Sequence, residues 1–276
     1  MYHEFYELKE NPFSVTADPD FFFSSKCHSE AMSILRYGIL HRKGFLLVTG
    51  EIGTGKTMLC RKILRQADAH TKYALILNPT FSESDLLQMI IHDLGMSTRW
   101  QNNFRMMQNL NRFLIKESSR GNNVAVIIDE AQNLSVSQLE QLRLLSNLET
   151  EKEKLLQIVL VGQPELDKKL SLPELRQLRQ RIAIHYRLQP LERSDIQFYL
   201  YERVKKASKD SESAKRIHFS DRAVDLIYQF TNGMPRAINI LCDRVLLAGF
   251  VRETFSIDET LIENCAKEVL YCEHNL

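Results

Sequence analysis

A glycine-rich segment with a lysine and a threonine is the part of the sequence best suited to chemistry. Residues 50–57 read Gly-Glu-Ile-Gly-Thr-Gly-Lys-Thr, which fits the phosphate-loop pattern G-x-x-x-x-G-K-[ST] in full. The glycines of such a loop let backbone N–H groups point at a phosphate, and the helix that follows faces the same charge. We expect Lys56 to lie between the β- and γ-phosphates and the Thr57 hydroxyl to bind magnesium. The segment predicts a nucleoside-triphosphate site.

Two adjacent carboxylates form the second group. Asp129 and Glu130 directly follow an apolar run of strand length at residues 124–128. At the carboxyl end of a parallel strand they would lie at the rim where doubly wound sheets bind ligands. We expect Asp129 to hold magnesium through water and Glu130 to polarise the attacking water, which favours hydrolysis over transfer to a small molecule. The alternative is that both are solvated residues of a loop.

The elements that must position these groups are readable from the hydrophobic pattern. Strand-length apolar runs are found at residues 45–49, 73–77, 124–128, 157–161 and 182–188. Helical periods lie between them, among them residues 56–67, Leu86 to Leu94 and Leu139 to Leu148, with Ser82 and Ser135 as predicted N-caps. Strands that alternate with helices predict a five-stranded parallel sheet. The glutamate directly after Asp129 indicates the P-loop branch that places one strand between the phosphate-loop strand and that of Asp129.

The character of the sequence changes after Pro190. Residues 191–206, 220–230, 235–251 and 258–271 are typical of helices, and residues 205–216 are typical of a solvated loop. We therefore expect an α/β fold in two domains. Residues 1–190 would form a P-loop core that includes an N-terminal segment, and residues 191–276 a helical lid.

Composition excludes several classes of protein. The 276 residues carry 36 basic and 35 acidic side chains, so the whole molecule is not a polyanion-seeking surface. The five cysteines are scattered and odd in number, which indicates a reducing compartment rather than a disulfide framework. Residues 1–14 lack an apolar signal region, and no apolar stretch approaches the roughly 20 residues of a membrane span. These features predict a cytoplasmic protein.

Several further motifs make the sequence similar to AAA+ ATPases of the ExeA type, also called the general secretion pathway protein A family, with shorter relatives in type IV pilus and exopolysaccharide systems. The similarity covers nearly the whole chain. Besides the phosphate loop, it rests on Tyr-Glu-Leu at 6–8, Asn-Pro-Phe at 11–13, Asp-Pro-Asp-Phe-Phe at 18–22, His28, Asp-Glu-Ala-Gln-Asn-Leu at 129–134, Gly-Gln-Pro-Glu-Leu at 162–166, Leu-Arg-Gln-Arg-Ile at 178–182 and Asn-Gly-Met-Pro-Arg at 232–236.

The resemblance implies ATP and Mg²⁺ as the bound groups, and the absence of a guanine-reading N-K-x-D element also favours ATP. Thr57 and Asp129 would be the residues at the metal. The nucleotide would be bound by the loop and the residue after it, namely Gly50, Glu51, Ile52, Gly53, Thr54, Gly55, Lys56, Thr57 and Met58.

The resemblance also implies roles for residues outside these two motifs. Gln163 resembles the sensor 1 residue that places the attacking water, although Asn or Thr is commoner at that position in AAA+ proteins. Arg236 resembles sensor 2, which reaches the γ-phosphate, and its alternative is a surface arginine at a helix start. Phe13 would pass near the adenine, and its alternative is a core residue.

An arginine finger is the last role that the resemblance implies. Arg181 occupies the finger position before the fifth strand, with Arg179 as its competitor, and such a cation would act in trans on a neighbouring subunit. The alternative is that these arginines and Arg176 form a solvated helix end. A finger in trans predicts head-to-tail assembly into a ring or filament.

The function expected from the resemblance is ATP hydrolysis that drives assembly of an envelope machine for secretion, type IV pili or polysaccharide export. The partners would be other copies of the chain and protein components of that machine, and the chain would lie in the cytoplasm or peripherally at the inner membrane. Full-length secretion proteins of this family also carry a membrane span and a peptidoglycan-binding region after the ATPase core, so the resemblance is to the short relatives or to the ATPase portion of the longer ones. An ATP-switched DNA-binding protein is the alternative, and a small-molecule kinase is a third, less specific option.

Overall fold

The computed structural model describes residues 2–79, 83–97, 102–151 and 153–273. The strands are β1 (Phe45–Gly50), β2 (Thr71–Ile76), β3 (Asn123–Ile128), β4 (Gln157–Gly162), β5 (Ile182–Leu188), β6 (His218–Phe219) and β7 (Ser256–Ile257). The helices are α1 (Tyr2–Phe5), α2 (Lys26–Leu40), α3 (Lys56–Arg65), α4 (Glu83–Asp93), α5 (Asn103–Ser119), α6 (Val136–Leu145), α7 (Pro164–Leu170), α8 (Arg176–Arg181), α9 (Arg193–Ala207), α10 (Ser211–Arg216), α11 (Asp221–Thr231), α12 (Pro235–Val251) and α13 (Glu259–Glu273).

Contacts divide the chain into two units. The core unit takes His28–Ile52 and Lys56–Leu188, and the helical unit takes the described residues of Met1–Cys27, Gly53–Gly55 and Gln189–Leu276. None of the helices within the described ranges is long and apolar enough to cross a membrane.

A five-stranded sheet forms the centre of the core unit. Its order is β2-β3-β4-β1-β5, and every pairing between neighbours is parallel. This confirms the predicted α/β fold, including the strand that separates β1 from β3. Because all five strands point the same way, their carboxyl ends share one edge of the sheet. The ends of β1, β3 and β4 therefore bring the phosphate loop, Asp129 and Gln163 to that edge.

The helices that flank the sheet follow the predicted apolar faces. On α4, Leu86, Leu87, Ile90 and Ile91 are all buried in the core. At the start of α6 the predicted capping box is present. The Ser135 hydroxyl accepts a hydrogen bond from the Gln138 N–H at 3.1 Å, and the Gln138 side chain accepts one from the Ser135 N–H at 2.8 Å. The predicted N-cap at Ser82 lies outside the described residues.

The helical unit has its own hydrophobic core, to which α9, α11, α12 and α13 contribute. Two short strands, β6 and β7, pair in parallel, so the C-terminal region is helical apart from this pair. The N-terminal segment belongs to the same core, since Tyr6, Phe13 and Phe21 are buried in it. The sequence alone predicts that this segment is part of the P-loop core. The structure differs because isolated aromatic residues, rather than a periodic pattern, determine where the segment packs.

A buried arginine attaches the N-terminal segment to the helices of this unit. Arg203 on α9 is 3% exposed, and its guanidinium donates to the carbonyls of Pro12 and Ser14 at 2.5 and 3.1 Å. It also donates to the Tyr199 hydroxyl at 3.1 Å, which in turn donates to Asn239 on α12 at 2.7 Å. These hydrogen bonds satisfy the carbonyl of the buried Pro12 and, together with the Asn239 amide, that of Ser14.

One prediction for this region is wrong. Residues 205–216 do not form a solvated loop, because α9 continues to Ala207 and α10 occupies Ser211–Arg216. The Asp210 side chain caps α10 by accepting from the Ser213 N–H at 2.8 Å, and Ser213 and Ala214 are buried. Six residues are too few to show a helical period, so tertiary packing decides this helix.

The turn before α12 sets the position of Arg236. Asn232 and Gly233 both have left-handed backbones, with φ of +48° and +71°. A Cβ on Gly233 would lie 2.0 Å from the Leu191 carbonyl oxygen, so no other residue fits there without a shift of the backbone. Pro235 then occupies the first turn of α12, where a proline is well tolerated.

Candidate nucleotide-binding site

The phosphate loop joins the end of β1 to the start of α3. Gly53 and Gly55 have φ of +84° and +98°, a region that residues with a Cβ rarely adopt. Lys56 is 5% exposed, and its ammonium donates to the carbonyls of Gly50 and Glu51, both at 2.9 Å. Among the other loop residues, Thr54 is buried and Ile52 is 62% exposed, while Met58 lies half-buried on α3.

Burial changes the ionisation of two groups at this edge of the sheet. Desolvation lowers the pKa of Lys56, and the charges of Glu130, Asp129 and Glu51 oppose that effect. Desolvation likewise raises the pKa of Asp129, against hydrogen bonds from the Thr57 hydroxyl and the Glu130 N–H. Both directions indicate a poorly hydrated environment, in which the charge of the lysine would interact strongly with an anion.

Thr57 and Asp129 supply two oxygens suited to magnesium. The Thr57 hydroxyl donates to Oδ2 of Asp129 at 2.5 Å, and Asp129 is 1% exposed. Over the described part of the chain there is no group of three or more His, Cys, Asp or Glu residues that could hold a metal. Mg²⁺ typically takes one or two protein oxygens and completes its shell with water and substrate phosphates. The hydroxyl and carboxylate present here fit that ion.

Glu130 adopts a left-handed backbone and is held by hydrogen bonds on both its main chain and its side chain. Its φ is +53°, and its N–H donates to Oδ1 of Asp129 at 3.0 Å. The Gln163 side chain, which follows β4, donates to Oε2 of Glu130 at 3.2 Å. Non-glycine residues with strained backbones are found preferentially at functional sites. The hydrogen bond from Gln163 brings the predicted sensor 1 residue to the predicted catalytic carboxylate.

Gln132, for which the sequence alone predicts no role, also reaches Glu130. Its side-chain amide donates to the same Oε2 atom, and its own Oε1 accepts from the Gln163 N–H at 3.0 Å. The only signal in the sequence was its place in the Asp-Glu-Ala-Gln motif, two residues after Glu130.

Two predicted nucleotide contacts lie in the helical unit. The backbone N–H of Arg236 donates to the Gly53 carbonyl at 3.2 Å, and a Cβ on Gly53 would lie 2.9 Å from the Arg236 Cβ. Phe13 is 1% exposed and its ring lies edge-on to Phe219 at 6.5 Å between centroids. That burial favours the core alternative for Phe13, and its contact with adenine stays a prediction.

The two finger candidates differ in their surroundings. The Arg181 guanidinium donates to the Arg143 carbonyl at 3.2 Å and to the Ser146 hydroxyl at 3.0 Å, and it also contacts the Asn147 side chain. Those acceptors lie at the C-terminal end of α6, where a cation is favourable. Arg179 is exposed and has no side-chain hydrogen bond or ion pair with any residue that the structure describes.

Comparisons with known proteins agree with this geometry. The AAA domain family matches residues 39–170. General secretion pathway protein A of Aeromonas hydrophila is 40% identical over 270 residues, which are 98% of this chain and 48% of that protein. The chain therefore spans about half the length of this curated relative.

Solved structures share the fold at low identity. The Aeropyrum pernix ORC2 protein matches with a TM-score of 0.69 and 16% identity, over 94% of this chain and 72% of that one. Drosophila ORC bound to DNA matches with a TM-score of 0.65 and 17% identity, over 98% of this chain and 65% of that one.

The parallel sheet with β4 between β1 and β3 and the phosphate loop give the core unit an AAA-type P-loop fold, in agreement with the match of residues 39–170 to the AAA domain family. Within that fold class, the chain is related in sequence to General secretion pathway protein A.

Proposed function

We propose that the chain binds and hydrolyses ATP with Mg²⁺. The observation that carries this proposal is the side-chain pairing of Glu130 with Gln163, beside the Thr57 to Asp129 hydrogen bond. A carboxylate with a polar partner at the end of the neighbouring strand suits the activation of water, and the hydroxyl and carboxylate pair suits a divalent cation.

The roles of the residues follow from their chemistry. Lys56 and the loop N–H groups would bind the β- and γ-phosphates, and Thr57 and Asp129 would hold magnesium. When bound, the metal would neutralise part of the charge on the phosphates. Glu130 would accept a hydrogen bond from the attacking water and orient that water. Gln163, which donates to Glu130, would hold the carboxylate or bind the same water. Arg236, which lies beside Gly53, would act as sensor 2.

A cation from a neighbouring copy would complete the site. Arg179 is the better candidate, because its guanidinium is exposed and unpaired among the described residues whereas Arg181 is bound to the end of α6. Such a contact is heterologous, so repeating it would yield a ring or filament of the same chain.

The related General secretion pathway protein A supports a role in an envelope machine. The partners would be protein components of a secretion, pilus or polysaccharide system, with the chain in the cytoplasm or at the inner membrane through those partners. The balance of 36 basic and 35 acidic residues also favours protein partners over a polyanion.

DNA binding is the second candidate, because Drosophila ORC shares the fold and its structure holds DNA. We expect weak, non-specific retention of duplex DNA by this chain, with a dissociation constant on the order of 10⁻⁴–10⁻⁶ M at physiological salt, since its formal net charge is only +1. A fluorescence titration with and without ATP at several salt concentrations measures this. ATP-dependent binding tighter than that range would favour the DNA-switch function over the envelope function.

A further inference from the structure

The short turn that contains Gln132 is held in place by hydrogen bonds from a neighbouring helix. Gln132 lies in the 3₁₀ turn Ala131–Asn133 that follows β3. The Lys169 ammonium on α7 donates to the carbonyls of both Gln132 and Leu134, the latter at 2.7 Å. These bonds fix the backbone of the turn against α7.

The side chain of Gln132 bridges the ends of two neighbouring strands. It donates to Oε2 of Glu130 after β3, and it accepts from the backbone N–H of Gln163 after β4. A Cβ on Gly162 would lie 2.8 Å from Oε1 of Gln132, so the glycine leaves the space that this amide occupies. Contacts with Glu130, the Gln163 N–H and Gly162 therefore fix the position of the Gln132 amide.

Oε2 of Glu130 accepts hydrogen bonds from two side-chain amides, those of Gln132 and Gln163. We name this arrangement the amide clamp. Hydrogen bonds to an ionised acceptor are roughly twice as strong as neutral ones. Two of them on one oxygen restrict the rotation of the carboxylate, and the link from Gln132 to the Gln163 backbone ties both amides to the end of β4.

We propose that Gln132 is a positioning residue that holds the Glu130 carboxylate in register with Gln163. The proposal rests on hydrolysis by Glu130 as the proposed function. Gln132 itself would act through the two residues that it contacts, so its loss would disorder the carboxylate without removing any group at the phosphates or the metal.

Gln132→Met retains the length of the side chain and removes the amide. We expect kcat for ATP to fall about 10- to 100-fold, as for other residues that orient a functional group, while KM and ATP affinity stay unchanged. The matched control is Asn133→Ala, in the same turn, whose side chain donates to Asn78 at 3.0 Å and does not touch Glu130. If Gln132→Met keeps the wild-type kcat, or if ATP affinity falls with it, the proposal is overturned.

A second measurement does not depend on turnover. In protein labelled with ¹⁵N-glutamine and free of nucleotide, the side-chain amide signals of Gln132 and Gln163 are assigned by their loss in Gln132→Met and Gln163→Met. Glu130→Ala should shift both signals, because both amides donate to the same carboxylate. Absence of a shift overturns the amide clamp, whatever the activity. If Glu130→Ala shifts both signals but the wild-type protein does not hydrolyse ATP, the clamp stands and the proposed function is rejected.

Discussion

Replacing Lys56 by alanine is expected to abolish tight ATP binding. Lys56 is 5% exposed and burial weakens the hydration of its ammonium, so a bound phosphate would be a strong partner beside the two loop carbonyls to which it donates. Truncating one member of a buried charge pair costs about 2–5 kcal/mol, which corresponds to a loss of roughly 30- to 5,000-fold in affinity. An equilibrium titration with ATP and Mg²⁺ measures the effect.

The matched control is Arg65→Ala, which removes an exposed cation from the end of the same helix. It should bind ATP as the wild type does. Wild-type affinity in Lys56→Ala would mean that residues 50–57 do not form the phosphate site.

The second large effect concerns the arginine finger. A cation supplied by a neighbouring copy contributes roughly 10³–10⁵ in rate where it has been dissected in other NTPases. We therefore expect Arg179→Ala, at the better candidate, to lose most ATP turnover. Mixing the inactive variant with Lys56→Ala should restore part of the activity, because one chain keeps an intact phosphate loop and the other an intact finger.

The melting temperature shows which of the two arginines, Arg179 or Arg181, has a structural role. Arg181→Ala removes the contacts with Arg143 and Ser146 at the end of α6 and should lower the melting temperature. Arg179→Ala removes an exposed side chain and should not. Arg176→Ala, exposed at the start of α8, serves as the control that keeps full activity. Mixtures that stay as inactive as each variant alone would reject assembly through a finger in trans.

The core unit was predictable because its signals are local or periodic. The apolar runs of the five strands, the buried face of α4 and the capping box at Ser135 each depend on nearby residues. The Asp-Glu pair after a buried run also indicated the strand order, since this motif is typical of one P-loop branch.

Other features depend on contacts between residues that are distant in sequence. The N-terminal segment packs in the helical unit through Phe13 and through hydrogen bonds to Arg203, 191 residues away from Pro12. The short helix α10 is stabilised by its cap and by burial rather than by a pattern. Gln132 acquires its partners only when β3 and β4 lie side by side, and the contact between Arg181 and α6 likewise depends on the packed structure.

ATP turnover by Glu130→Gln beside the wild type tests the central claim most directly. The substitution keeps the size of the side chain and removes the charge that would orient water, without touching Lys56 or Thr57. The account predicts phosphate release by the wild type with Mg²⁺, wild-type ATP affinity in the variant, and turnover lowered by about 10²-fold or more, the lower end of what a general base contributes. A variant that hydrolyses ATP at the wild-type rate, or a wild type that hydrolyses none, would contradict it.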